Sequence, residues 1–112
     1  MEVKSTAKHT GVSARKVRLI LENLPGKRIE EALALLKFMP TPNARLVAKV
    51  VKSAAANAEN NFQMSPGDLR IKAAYAGEAR RLRRFRPRPR GRAAIVRRPS
   101  SHVTVVVEEE EA

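Results

Sequence analysis

The chain has no cysteine, only two histidines and a single tyrosine. Without thiols it can form neither a disulfide framework nor a thiolate metal site, and a reducing compartment, the cytoplasm, is its expected location. No apolar run reaches the length of a membrane-spanning helix, and the N-terminus alternates charged and small residues instead of carrying a signal peptide's apolar stretch. A soluble chain that is not exported and has no membrane partner is expected. Catalytic groups are scarce as well. The histidines are His9 and His102, no glycine-rich phosphate loop occurs, and the acids outside the C-terminal run are Glu2, Glu22, Glu30, Glu31, Glu59, Asp68 and Glu78. Most of these fall on predicted outer helix faces, where solvated charge is the ordinary explanation, and adjacent residues such as Glu30 and Glu31 point in different directions on a helix. The expectation is no enzyme, no cofactor, no metal and no small-molecule substrate.

What the chain does have is positive charge. Its 112 residues, enough for one domain with a modest core, carry 23 Lys and Arg against 11 Asp and Glu, a formal net charge of +12. The charge is concentrated: from Glu78 to Arg98 there are ten arginines, one glutamate and no lysine, while eight lysines and five arginines are spread over the rest. Solubility alone does not select arginine so exclusively. Planar guanidinium groups suit bidentate phosphate contacts and stacking on bases, so a nucleic acid is the first candidate partner.

Around that segment the pattern is of a small folded domain. Glu2 to Lys8 alternates, with Val3, Ser5 and Ala7 on one face, as a half-buried strand does. After Gly11, Ser13 occupies a helix N-cap position ahead of Val17, Ile20, Leu21 and Leu24, and Arg15 and Arg18 with Lys16 give that helix a basic outer side. A second helix over 28–38 carries Ile29, Ala32, Leu33 and Leu36. Thr41-Pro42, a capping hydroxyl followed by a first-turn proline, opens the longest helix, which runs to about Asn60 with Val47, Val50, Val51, Ala54 and Ala58 inward. Its small-residue run, Ser53 to Ala58, permits close approach of another backbone, either in tight packing on a sheet or toward RNA. Asn57, Asn60 and Asn61 near its end serve either as fraying and capping residues or as polar contacts to a partner. A turn at Ser65-Pro66-Gly67-Asp68 leads to a strand from Leu69 to Ala76, with Leu69, Ile71, Ala73 and Tyr75 facing one way, and the closing strand runs from Ser101 to Val107 with Val103, Val105 and Val107 on one face. The order predicts an α+β fold: three helices on one face of a small, mainly antiparallel three-stranded sheet. Residues 1–78 and 99–107 form the globular domain, 79–98 an extended β-hairpin, and 108–112 an acidic disordered tail.

The arginine segment, with Arg80, Arg81, Arg83, Arg84, Arg86, Arg88, Arg90 and Arg92 before Arg97 and Arg98, cannot be buried, because its charges would be desolvated without partners. It interrupts two strands that read as neighbours, so a β-ribbon turning around Pro87 to Gly91 is the economical geometry, with arms reaching about 25 to 30 Å. Such a ribbon is marginal alone, and order would come from a partner. A solubilising basic loop is the bland alternative, and a membrane-active hairpin anchored by Leu82 and Phe85 is another, though it has few anchors. Nucleic-acid binding leads, with arginines neutralising phosphates while Phe85 stacks or wedges. Folded RNA, with pockets and junctions, suits an irregular ribbon better than a regular DNA groove does.

Four motifs in order then carry a family likeness: 13–19 (SARKVRL), 53–61 (SAAANAENN), 87–93 (PRPRGRA) and 101–105 (SHVTV). Together they resemble the bacterial-type twenty-second protein family of the ribosomal large subunit, over Val3 to Val107. The resemblance implies a non-enzymatic structural constituent of the cytoplasmic ribosome that binds large-subunit ribosomal RNA and assists early assembly. Its globular part would lie near the opening of the polypeptide exit tunnel, among neighbouring large-subunit proteins. Its hairpin would line the tunnel wall through Leu82, Phe85, Pro87, Pro89 and Gly91, next to the passing nascent polypeptide, where changes in the family alter macrolide sensitivity. It also implies RNA-facing roles for Ser13, Arg15, Lys16, Arg18, Asn57, Asn60, Asn61, Ser101 and His102, joining the hairpin arginines. The chain departs from the family at the hairpin's start, Gly77-Glu78-Ala79-Arg80, and at Pro99-Ser100, and Arg80, Arg81, Arg86 and Arg90 make its hairpin unusually basic. The alternative is a stand-alone architectural nucleic-acid-binding protein.

Overall fold

A computed structural model describes residues 2–109; Met1 and residues 110–112 lie outside it, as do the side chains of Pro66, Leu82, Arg84 and residues 93–96. The elements follow the expected α+β order: β1 (Glu2–Ala7), α1 (Ala14–Leu21), α2 (Ile29–Phe38), α3 (Asn43–Phe62), β2 (Leu69–Glu78), β3 (Leu82–Pro87), β4 (Ala93–Arg98) and β5 (Ser101–Glu109). β5 is central, antiparallel to β1 on one side and β2 on the other. α1 lies over β2, α3 crosses β1 and β5, and α2 packs mainly against α3.

The core is where the two periodicities meet. Val103, Val105 and Val107 of β5, Val3 of β1, and Leu69 and Ile71 of β2 face Val17 and Leu21 of α1 and Val47, Val51, Ala54 and Ala58 of α3. Ala54 and Ala58 are fully buried, so these small residues serve packing of α3 on the sheet, whereas Ala56 is exposed. Truncating a fully buried aliphatic here, such as Ile71→Ala, costs about 2–5 kcal/mol.

Local departures have local causes. Ser13 sits at the N-cap of α1 in extended conformation, but its side chain makes no capping bond; its carbonyl accepts from Val17. The Thr41 hydroxyl does not cap α3 either: Pro42 is already helical, and the first turn closes through Ala44 N–H to the Thr41 carbonyl. At the other end Gln63 adopts the left-handed conformation (φ 53°), Met64 N–H donates to the Ala58 carbonyl, and Met64 is buried. Gln63 therefore supplies the cap geometry, and Asn57, Asn60 and Asn61 do not.

β2 does not keep the alternation expected of it. Ile71 pairs with Val107 but Ala73 pairs with Val106, so Lys72 is an extra residue in a β-bulge. Beyond it the phase flips. Ala76 is buried and Ala74 packs against the core, while Tyr75, expected inward with Leu69 and Ile71, is half exposed. The outer face of the sheet carries ion pairs between Lys72 and Glu2 and between Arg70 and Glu108 (2.8 Å). Glu108 and Glu109 thus belong to β5, so the sheet extends two residues past the expected start of the tail; Glu110 to Ala112 lie outside the described residues.

The arginine segment forms its own two-stranded sheet, β3 antiparallel to β4, in register from Leu82 opposite Arg98 to Pro87 opposite Ala93. It grows from the β2–β5 ladder: after Glu78 pairs with Ser101, Ala79 N–H donates to the Ser100 carbonyl at 3.0 Å. The ladder then lapses around Pro99, which has no N–H to donate. At the tip, Arg88 N–H reaches the Arg92 carbonyl, and Arg90 (φ 66°) and Gly91 (φ 71°) take the left-handed conformation that reverses the chain. A compact chain of this length has a radius of gyration of about 13 Å. The observed 17.2 Å, with extents of 68 × 27 × 17 Å, reflects the projecting ribbon.

Candidate nucleic-acid interface

Nine of the ten segment arginines, Arg80, Arg81, Arg83, Arg86, Arg88, Arg90, Arg92, Arg97 and Arg98, are exposed; the Arg84 side chain is outside the described set, as is that of Leu82. Arg83 lies directly opposite Arg97 across the ladder. Like charges in that position repel and weaken a hairpin. Phe85 shares the Arg83 face by strand alternation and is 70% exposed. Pro87, Pro89 and Gly91 are exposed around the tip.

The base of the ribbon is clamped to the globular domain by a loop that sequence patterning did not reveal. Residues 9–12, with positive φ at His9 and Gly11, fold back onto the start of β5. Thr10 N–H donates to the Ser101 carbonyl (3.1 Å), the Thr10 and Ser101 hydroxyls lie 2.9 Å apart, and Gly11 N–H donates to the Ser100 hydroxyl (3.1 Å). Ser101, expected to face RNA, is fully buried in the chain by itself, with its hydroxyl against that of Thr10. The alternation of β5 carried that signal, since Ser101 is in phase with inward Val103, Val105 and Val107. His102 is half-buried; its Nδ1 accepts the His9 N–H at 3.2 Å, and the two rings meet edge-on with centroids 4.8 Å apart. An accepting Nδ1 puts the neutral ring's proton on Nε2.

On α1, Arg15 and Lys16 are exposed and Ser13 is half-buried. Arg18 is exposed too, but it has an internal partner. Its Nε and Nη2 both donate to the Ala76 carbonyl, at 3.0 and 2.8 Å, tying α1 to the part of β2 that leads into the ribbon. Asn60 and Asn61 are exposed and Asn57 half-buried, on the last turns of α3, which lead through residues 63–68 into the end of β2 remote from the ribbon. The structure thus groups Arg15, Lys16 and His102 with the ribbon base and sets the asparagines apart. Among the described residues no cluster of His, Asp or Glu could hold a metal ion, and no helix is long and apolar enough to cross a membrane.

Fold and surface define a class: a three-helix α+β platform that carries a basic β-ribbon. Residues 5–108 match the profile of the family described as Ribosomal protein L22p/L17e, and the chain belongs to that family. It is 58% identical over 107 residues to the Large ribosomal subunit protein uL22 of Dehalococcoides mccartyi strain CBDB1, which covers 96% of this chain and 98% of the relative. It is 48% identical to the proteins of the same name from Pelotomaculum thermopropionicum (96% and 95% covered) and Clostridium novyi (97% and 98% covered).

Proposed function

We propose that the chain is a structural constituent of the large subunit of the cytoplasmic ribosome, without catalytic activity, that binds large-subunit ribosomal RNA. The observation that carries this reading is the ribbon, whose exposed arginines, with Arg83 facing Arg97, have few internal anions to answer them. Membership of a ribosomal protein family supports the choice of RNA over DNA. Guanidinium forks at 80–98 neutralise and bridge phosphates while Phe85 stacks against bases, so RNA binding fixes the ribbon's course. Arg15 and Lys16 of α1 and the His102 Nε2–H extend the contact at the base, and Asn57, Asn60 and Asn61, with Ser13, form polar contacts on the platform. Arg18 and Ser101 act from within, holding the base in shape. In the assembled subunit the platform lies near the exit-tunnel opening among neighbouring proteins. The ribbon lines the wall beside the nascent polypeptide, where its tip also influences macrolide action, and the two together tie RNA segments during early assembly.

The test is sedimentation of native particles after a high-salt wash. The chain should co-sediment with large subunits, and ribonuclease should release it while deoxyribonuclease should not. Release by deoxyribonuclease alone would instead favour a stand-alone architectural nucleic-acid-binding protein.

A further inference from the structure

α2 and α3 diverge from the corner at Met39–Pro42 and enclose an open groove of about 1010 Å³. None of its lining residues belongs to the ribbon or to the contacts proposed above. Its floor is apolar, including half-buried Leu33, Met39 and Ala48, and the neighbouring Phe38 is 82% exposed. Its rim is cationic: Lys37 comes from α2, and Arg45, Lys49 and Lys52 stand at i, i+4 and i+7 along α3. Every ionisable residue lining the groove is positive.

The chemistry differs from that of the ribbon. Three of the four rim cations are lysines, whose aliphatic stems can lie along apolar surface while the ammonium heads stay in water. They offer point charges instead of the planar forks suited to phosphate and bases. An RNA strand laid here would hold phosphates against the aliphatic floor and desolvate them for little return. An amphipathic helix fits both features, with aliphatic residues on the floor and carboxylates along its flank. Neighbouring rim cations on α3 are about 5–6 Å apart at the Cβ, the same spacing as carboxylates at i, i+3 or i+4 on a helix lying alongside.

We infer that the α2–α3 groove docks an acidic amphipathic helix of a neighbouring protein. The test uses the full chain with labelled methionine methyls: Met39 reports the groove, and Met64, buried elsewhere, serves as the control. The probes are a synthetic helical peptide with leucines at i, i+3 and i+4 flanked by glutamates, a scrambled peptide of the same composition, and an RNA oligonucleotide of matching charge. The patterned peptide should shift Met39 saturably and leave Met64 in place. Lys49→Glu with Lys52→Glu, two exposed and therefore foldable changes, should weaken that response about ten-fold, as two reversed surface charges predict. The scrambled peptide and the RNA should bind the ribbon without moving Met39. A Met39 shift with RNA but not with the patterned peptide would overturn the inference in favour of a phosphate site. Equal shifts with both peptides, or none with any probe, would also overturn it, and each of these results leaves the ribbon reading untouched.

Discussion

Replacing Arg18 separates a residue that holds the interface from one that touches RNA. Its two guanidinium nitrogens converge on the Ala76 carbonyl at 3.0 and 2.8 Å, spanning from α1 to β2 just before the ribbon. A hydrogen bond with a charged partner contributes about 1.5–3 kcal/mol. Here two donors share one acceptor and the arginine remains open to solvent, so about 1–2 kcal/mol is the reasonable cost of Arg18→Ala. In a domain of this size each kcal/mol moves the thermal midpoint by about 4–8 °C, so the variant should melt roughly 4–16 °C lower. Arg18→Lys keeps the charge but offers one point donor, and should recover about half of the loss. Arg15→Ala, on the exposed side of the same helix, should leave the melt unchanged. Thermal unfolding by circular dichroism decides the matter. If Arg18→Ala melts like the wild type yet flattens the dependence of log affinity on log salt, its guanidinium meets a phosphate and the internal clamp is refuted.

Neutralising Arg83, Arg86, Arg88, Arg90 and Arg92 together to glutamine should flatten the salt slope of RNA binding by about 3.5–4.5 units if each meets one phosphate; an unchanged slope, read by titration at several salt concentrations, would turn the ribbon's arginines toward solvent. Replacing residues 80–99 by Asn-Gly joins Ala79 to Ser100, already hydrogen-bonded at 3.0 Å, through a two-residue turn. The shortened protein should unfold cooperatively because, among the described residues, the buried core lies outside the excised segment, and a non-cooperative melt would place the segment in the core. The Glu2 carboxyl is held below its ordinary range by a hydrogen bond from Lys72 and by that residue's charge, while Lys72 is raised by the same contact. The pair's stabilisation is therefore present at neutral pH. It is lost as pH falls through the depressed Glu2 value, and again as pH rises through the raised Lys72 value. Glu2→Gln should melt below wild type near neutrality and converge with it at both extremes, and a pH-independent offset would contradict that.

Where periodicity alone decides, the sequence and the fold agree. Val47, Val50, Val51, Ala54 and Ala58 occur at helical spacing and are buried together, and Val103, Val105 and Val107 alternate and are fully buried. β2 shows why that signal has a limit. A bulge at Lys72 leaves no mark in composition, because Ala73, Ala74 and Ala76 read alike in either phase, so only the register against β5 reveals that Tyr75 turns outward. The clamp at the ribbon base is less legible still. His9, Thr10 and Gly11 meet partners about ninety residues away through left-handed backbone at His9 and Gly11, and local pattern carries no trace of such contacts. The ribbon lies at the opposite extreme. Its arginine content announces a polyanion, yet repulsion such as that between Arg83 and Arg97 works against its shape. Its register must be inherited, passing from the buried pairs Ile71–Val107 and Ala76–Val103, through Glu78–Ser101, to Ala79 and Ser100. The core thereby aims the ribbon, and the contacts of Arg18 with Ala76 and Thr10 with Ser101 stand where domain stability becomes ribbon direction. Weakening either contact should disturb RNA binding through geometry while leaving the ribbon's own charge intact.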